Sequence, residues 1–158
     1  MARVYMICGK ICSGKTTYAN KLRKDKKAIL LSCDEIMLAL FEPHLSDFDE
    51  VSARVEQYLL QKTVEIIETG IDVILDWGFW RAVNRVRIRE FFSQRGIDSE
   101  LWYLDVADSE WKARVEKRNA AVEAGLVSAY YVDEGLAKKF ESRFEKPLPS
   151  EIDRVISI

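Results

Sequence analysis

Apolar residues collect along this chain in two kinds of block. Residues 2–8, 26–32, 71–76, 101–106 and 154–158 are short runs rich in Val, Ile, Leu, Tyr and Trp. Runs of that length and composition predict strands, the inner ones buried on both faces. Between them, residues 16–24, 33–41, 50–68, 81–95 and 133–144, and a segment opening at Asp108, space their apolar positions three and four apart, as helices do. Asp34 and Asp108 read as capping acids, while Pro43, Gly70 and Gly96 read as stops. Residues 42–49 and 119–133, the latter with Gly125, Tyr130 and Tyr131, read as irregular. Strands alternating with helices predict an α/β fold, a three-layer α/β/α sandwich around a five-stranded parallel sheet with right-handed crossovers. In such a sheet ligands gather beyond the carboxyl ends of the strands.

The first of those ends carries the strongest signal. Met6-Ile7-Cys8 runs into Gly9-Lys10-Ile11-Cys12-Ser13-Gly14-Lys15-Thr16-Thr17, which is G-x-x-x-x-G-K-T between a strand and a helix. Gly9 and Gly14 let the loop turn its N–H groups inward around a phosphate at the positive end of the helix. Lys15 would bridge the β- and γ-phosphates and the Thr16 hydroxyl would ligate Mg²⁺. Lys10, Cys12, Ser13 and Thr17 complete the expected nucleotide-binding set. The third strand ends in Asp76, a hydrophobic run closed by an acid, which suits water-mediated hold of Mg²⁺ or a hydrogen bond to an acceptor hydroxyl. Asp105 ends the fourth strand in the same way.

Composition narrows the partners. The 158 residues suit one domain over 1–158, and 24 basic against 26 acidic side chains leave a net charge of -2, so no overall field favours nucleic acid or an anionic membrane. The three cysteines form no disulfide framework and suggest a reducing, cytoplasmic setting, and Cys8 and Cys12 lack the further ligands a zinc site needs. No run of 18 apolar residues predicts a membrane span, and no targeting segment is legible.

Taken together, the loop from Gly9 to Thr17, Leu31-Ser32-Cys33-Asp34, Val73-Ile74-Leu75-Asp76 with Phe79, Arg81 and Arg85, the stretch from Arg114 to Arg118, and Arg143-Phe144-Glu145-Lys146-Pro147 resemble the small P-loop kinases. The chain most resembles the AAA_33 ATP-binding proteins, a group akin to polynucleotide kinase, chloramphenicol phosphotransferase and the zeta-toxin kinases. The resemblance implies ATP and Mg²⁺ as cofactors and a helical lid over about 112–133. It also implies that Asp34 is the carboxylate that orients the acceptor hydroxyl and accepts its proton. Trp77 and Gly78 depart from the family, whose members commonly carry a small residue or Thr there.

Each role has a plainer counterpart. Asp34 would serve equally as a helix cap, and Glu35 as a first-turn acid facing the helix dipole. Arg114 and Arg118 lie one turn apart, suited to neutralising a transferring phosphoryl group, or else to a solvated face with Glu110, Glu116 and Lys117. Arg81, Arg85 and Arg89 make a stripe just beyond Asp76, where Arg81 and Arg85 would touch an acceptor or its phosphate. Trp77, Phe79 and Trp80 would wall an acceptor pocket or pack the core, and Tyr130 and Tyr131 would cover the site or pack a loop. His44, the only histidine, carries no expected function.

These readings converge on an ATP- and Mg²⁺-dependent kinase acting on a hydroxyl of a small molecule. Its aromatic, arginine-edged acceptor side would suit a ring-bearing or anionic compound. The alternatives are a 5′-hydroxyl polynucleotide kinase, for which only the 81–95 helix offers basic surface, and a nucleotide switch that hydrolyses ATP slowly. A pure switch needs no acceptor-side carboxylate.

Overall fold

A computed structural model describes residues 1–42 and 45–158. The elements follow in the order β1 Val4–Gly9, α1 Lys15–Lys26, β2 Ile29–Leu31, α2 Cys33–Leu40, α3 Phe48–Glu68, β3 Val73–Gly78, α4 Ala82–Ser93, β4 Ser99–Asp105, α5 Asp108–Glu123, α6 Glu134–Arg143, a 3-10 turn at Pro149–Glu151, and β5 Arg154–Ser157. The five strands form one sheet in the order β2-β3-β1-β4-β5, every neighbouring pair parallel. The three-layer sandwich expected from the alternation is therefore the fold.

Because β1 is central, all six of its residues are buried, and alternate side chains feed two cores. Val4, Met6 and Cys8 join Val73, Leu75, Leu101 and Tyr103 under α3 and α4, through Leu60, Ile88 and Phe92. Tyr5 and Ile7 join Ile74, Trp102 and Leu104 under α1, through Ala19 and Leu22. A third, smaller cluster holds Ile11, Val132 and Phe140, with Trp80, Trp111 and Phe144 packed against it. It joins α5 and α6 to the phosphate loop rather than to the sheet.

Several boundaries differ from expectation. The second strand is only Ile29–Leu31, pairs with β3 alone, and leaves Ile29 41% exposed, so it is an edge rather than a buried strand. Lys26 belongs to α1, which Lys27 ends in the left-handed region at φ 54. Ser32, not Asp34, caps α2: its Oγ accepts from the Glu35 amide at 3.3 Å, leaving Asp34 inside the first turn. Ala107 occupies the cap of α5, and Asp108 instead pairs with Lys10. Nor is 119–123 irregular. Ala120, Ala121 and Glu123 are good helix formers and carry α5 to Glu123, before Gly125 at φ 69. Pro43 and His44 lie outside the described residues.

Candidate active site

The site grows from the carboxyl ends of β1, β3 and the segment after β2. Gly9 closes β1 where a Cβ would lie 2.9 Å from Ser13 Oγ and 3.2 Å from the Leu104 carbonyl, so a larger residue would distort the loop. Cys12 and Gly14 take positive φ, 57 and 91, and curl the loop into the start of α1. That helix opens with no acid in its first turn and no side-chain cap, leaving its positive end free for an anion. Ser13 is fully buried, its Oγ without a hydrogen-bond partner among the described residues, which suits a ligand oxygen.

Lys15 Nζ donates to the Lys10 carbonyl at 2.6 Å, and burial holds its pKa below the ordinary lysine value against the pull of Asp76 and Asp34. Thr16 Oγ1 donates to Asp76 Oδ2 at 2.6 Å, joining α1 to β3. A hydroxyl and a buried carboxylate at one point are hard oxygen donors of the kind Mg²⁺ prefers, so these two residues fit the expected metal. Thr17 follows on the exposed first turn of α1. Asp34 keeps a side open to solvent, yet desolvation by the surrounding protein pushes its carboxyl above the usual range. Lys15 and Arg118 oppose that rise and Asp76 adds to it, so all four groups share one electrostatic field.

Helix α5 lies against the loop. Arg114 Nη1 donates to the Ser13 carbonyl at 2.8 Å while its Nε holds Glu110 at 2.9 Å, and Arg118 Nη1 donates to Cys12 Sγ at 3.2 Å. Trp111 donates its indole N–H to the Ile11 carbonyl at 2.5 Å, and Lys10 lies 5.1 Å from the Trp111 ring centre. Trp111, Arg114 and Arg118 recur at helical spacing, the signal that could have joined Trp111 to the arginines beforehand. Asn119 then clamps Val132 with two 2.8 Å bonds, closing the 119–132 segment on itself.

The residues expected on the acceptor side divide. Arg81 is exposed at the head of α4, but Arg85, expected to touch an acceptor or its phosphate, is only 2% exposed and is instead a structural residue. Its guanidinium grips Glu151 with two bonds, at 2.9 and 3.2 Å, and donates to the Phe79, Trp80 and Glu145 carbonyls. These five bonds and its burial commit it to the fold rather than to an acceptor. Arg89 pairs with Asp153. Trp77 stacks on Phe79 at 5.8 Å and donates to the Leu31 carbonyl, while Trp80 meets Phe140 edge-on at 5.0 Å. These contacts tie the rings between elements, with Trp77 and Trp80 left half-buried. Gly78 is required among them, because at φ 76 a Cβ would lie 2.9 Å from the Trp80 indole nitrogen. Burial pushes the Cys8 thiol up to about 12 and the Cys33 thiol higher still, so neither is a nucleophile at neutral pH.

The AAA_33 family model, described as an AAA domain, matches residues 4–147, from β1 past α6. The chain belongs to the AAA_33 family. This AAA_33 protein is thus a P-loop kinase-like, ATP-binding domain. No curated protein sequence is significantly similar to it. Among solved structures, an unliganded sugar kinase from Janibacter sp. HTCC2649 is similar at 17% identity and TM-score 0.63, over 100% of this chain and 85% of that one. The APS kinase of Mycobacterium tuberculosis, solved with AMPPNP and APS, is similar at 17% identity and TM-score 0.68, over 99% and 88%. A chain of the Pnkp1/Rnl/Hen1 RNA repair complex is similar at 15% identity and TM-score 0.69, over 90% of this chain and 43% of that one. At these identities the likeness is one of fold. No helix among the described residues is long and apolar enough to cross a membrane.

Proposed function

We propose that this AAA_33 protein transfers the γ-phosphoryl group of ATP to a hydroxyl of a small molecule. The observation that carries the reading is the second carboxylate. Asp76 already partners Thr16, so ATP and metal binding leave Asp34, in the field of Lys15 and Arg118, free for another task. Asp34 would orient the acceptor and take its proton while the acceptor oxygen forms the new P–O bond and the bond to the β-phosphate oxygen breaks, releasing ADP. Thr16 and Asp76 would hold Mg²⁺, which supplies charge neutralisation on the phosphate oxygens. Lys15 binds the phosphates, and Arg114 and Arg118 on α5, the lid, need only exchange the Ser13 carbonyl and Cys12 sulfur for phosphoryl oxygens. The lid would extend through the closed segment after α5, and the whole would act as one catalytic domain over 1–158.

The test is Mg²⁺-dependent ADP release across hydroxyl-bearing metabolites, nucleosides, antibiotics and 5′-hydroxyl oligonucleotides, wild type against Asp34→Asn. Stimulation by one acceptor, lost in Asp34→Asn, supports the reading; no stimulation and an unchanged background in Asp34→Asn overturn it. Exposed Arg81 and Arg95, flanking α4, give the polynucleotide alternative a local foothold. With a net charge of -2, oligonucleotide binding is expected to be weak with a shallow salt slope, and steep loss with salt would favour that alternative instead.

A further inference from the structure

Two carbonyls of the phosphate loop are held by side chains of a single helix. Trp111, in the first turn of α5, donates its indole N–H to the Ile11 carbonyl at 2.5 Å, and Arg114, three residues on, donates to the Ser13 carbonyl at 2.8 Å. A trans peptide points its C=O and the N–H that follows in opposite directions. With the Ile11 carbonyl turned toward α5, the Cys12 N–H therefore faces away from that helix, and the Gly14 N–H does likewise. Neither N–H has a hydrogen-bond partner among the described residues. Two free donors on the side away from α5, where Gly14 opens α1, make an anion nest that is set before any phosphate arrives.

The two α5 residues differ in what they can release. Arg114, on the reading above, leaves the Ser13 carbonyl for a phosphoryl oxygen. Trp111 is uncharged, carries one side-chain N–H, and is fixed in place. Lys10 Nζ lies 5.1 Å from its ring centre and is itself paired with Asp108 at 2.5 Å, while Phe140 of α6 packs against the ring with centres 5.8 Å apart. The peptide that Trp111 holds is also under strain. Turning it over would change ψ of Ile11 and φ of Cys12, and Cys12 sits at φ 57, where a residue with a Cβ is disfavoured. The flipped peptide would relax Cys12 and withdraw its N–H from the nest.

We infer that Trp111 is a positioning residue for phosphate binding: its indole N–H holds the Ile11 carbonyl, and through that peptide keeps the Cys12 N–H aimed into the nest. The inference rests on phosphate binding by the loop and not on transfer to an acceptor, so it stands or falls apart from the phosphotransferase reading.

Two replacements separate the hydrogen bond from the packing. Trp111→Phe keeps an aromatic ring, and Trp111→3-benzothienylalanine keeps the bicyclic shape with sulfur in place of the N–H. Titrated by calorimetry with AMPPNP and Mg²⁺, the full chain carrying either one should bind about fivefold or more weaker than wild type, with circular dichroism confirming that each is folded. In a Cys12→Gly background the penalty of Trp111→Phe should shrink to about twofold or less, because glycine takes a positive φ unaided. A loss of packing alone would leave that penalty unchanged. Binding by the benzothienyl variant within about twofold of wild type overturns the inference, as do an undiminished penalty in the Cys12→Gly background and a wild type that does not bind AMPPNP. Acceptor-stimulated ADP release is read separately, and its absence leaves the titration result standing.

Discussion

Asp34 stands in the first turn of α2 without capping it, because Ser32 already serves the Glu35 amide. That leaves a carboxylate whose ionisation the surrounding protein opposes. Its folded pKa is raised, so the acid limb of acceptor-stimulated turnover should fall above the ordinary aspartate range, and Asp34→Asn should remove that limb with the activity. The same shift has a stability sign. A carboxyl with a raised folded pKa favours folding fully only below its unfolded pKa, and that favour is lost as pH rises through the folded value. Asp34→Asn should therefore melt higher than wild type at pH 7, with the gap closing toward about pH 4, as thermal unfolding at the two pH values would read. Gly78→Ala should do the opposite, losing about 1–3 kcal/mol in denaturant titrations, since it combines φ 76 with a Cβ 2.9 Å from the Trp80 ring. At this scale the phosphate loop was legible, because each of its residues has a backbone or charge reason tied to fixed spacing. Arg85 was not. A stripe of arginines four apart looks the same whether it meets water or, as at Arg85, a carboxylate and three carbonyls, since Glu151 and the Glu145 carbonyl come from distant chain.

Among the elements, α4 and the C-terminal segment are locked by that residue. Arg85 joins the turn after β3 to Glu145 and Glu151, and Glu145 Oε2 accepts from the Ala82 amide at 2.8 Å at the head of α4. Arg85→Met would leave Glu151 facing the interior without its cation and the turn carbonyls without their donor. A loss of about 3–5 kcal/mol is expected, visible as a fall in the denaturant midpoint. Helix α5 is held quite differently. None of its residues is fully buried, and it reaches the phosphate loop through Trp111, Arg114, Arg118 and the Lys10–Asp108 pair. Its extent through Glu123 was missed because alanines and a glutamate carry no amphipathic pattern, though they favour helix. The short β2 was overread for the reverse reason: an apolar run does not disclose that its strand lies at the edge, with one neighbour.

Across the whole molecule, the two sheet-face cores were implied by the alternation of strands and helices, whereas the third cluster was not. Its members, Ile11, Val132 and Phe140, lie far apart in sequence, and no periodicity connects them. That small cluster gives the domain an uneven stability. The strands β1, β3 and β4 share cores made of many buried side chains, but α5 and α6 rest on three. Amides of α5 and α6 should therefore exchange with solvent deuterium through sub-global opening, while those of β1 wait for global unfolding. In a urea series, ADP release should fail at concentrations where the far-ultraviolet signal of the sheet is still intact; coincident loss of both would refute the separation. The enzyme would then be inactivated before it is denatured, and reversibly so, since the sheet persists as the template on which the two helices settle again.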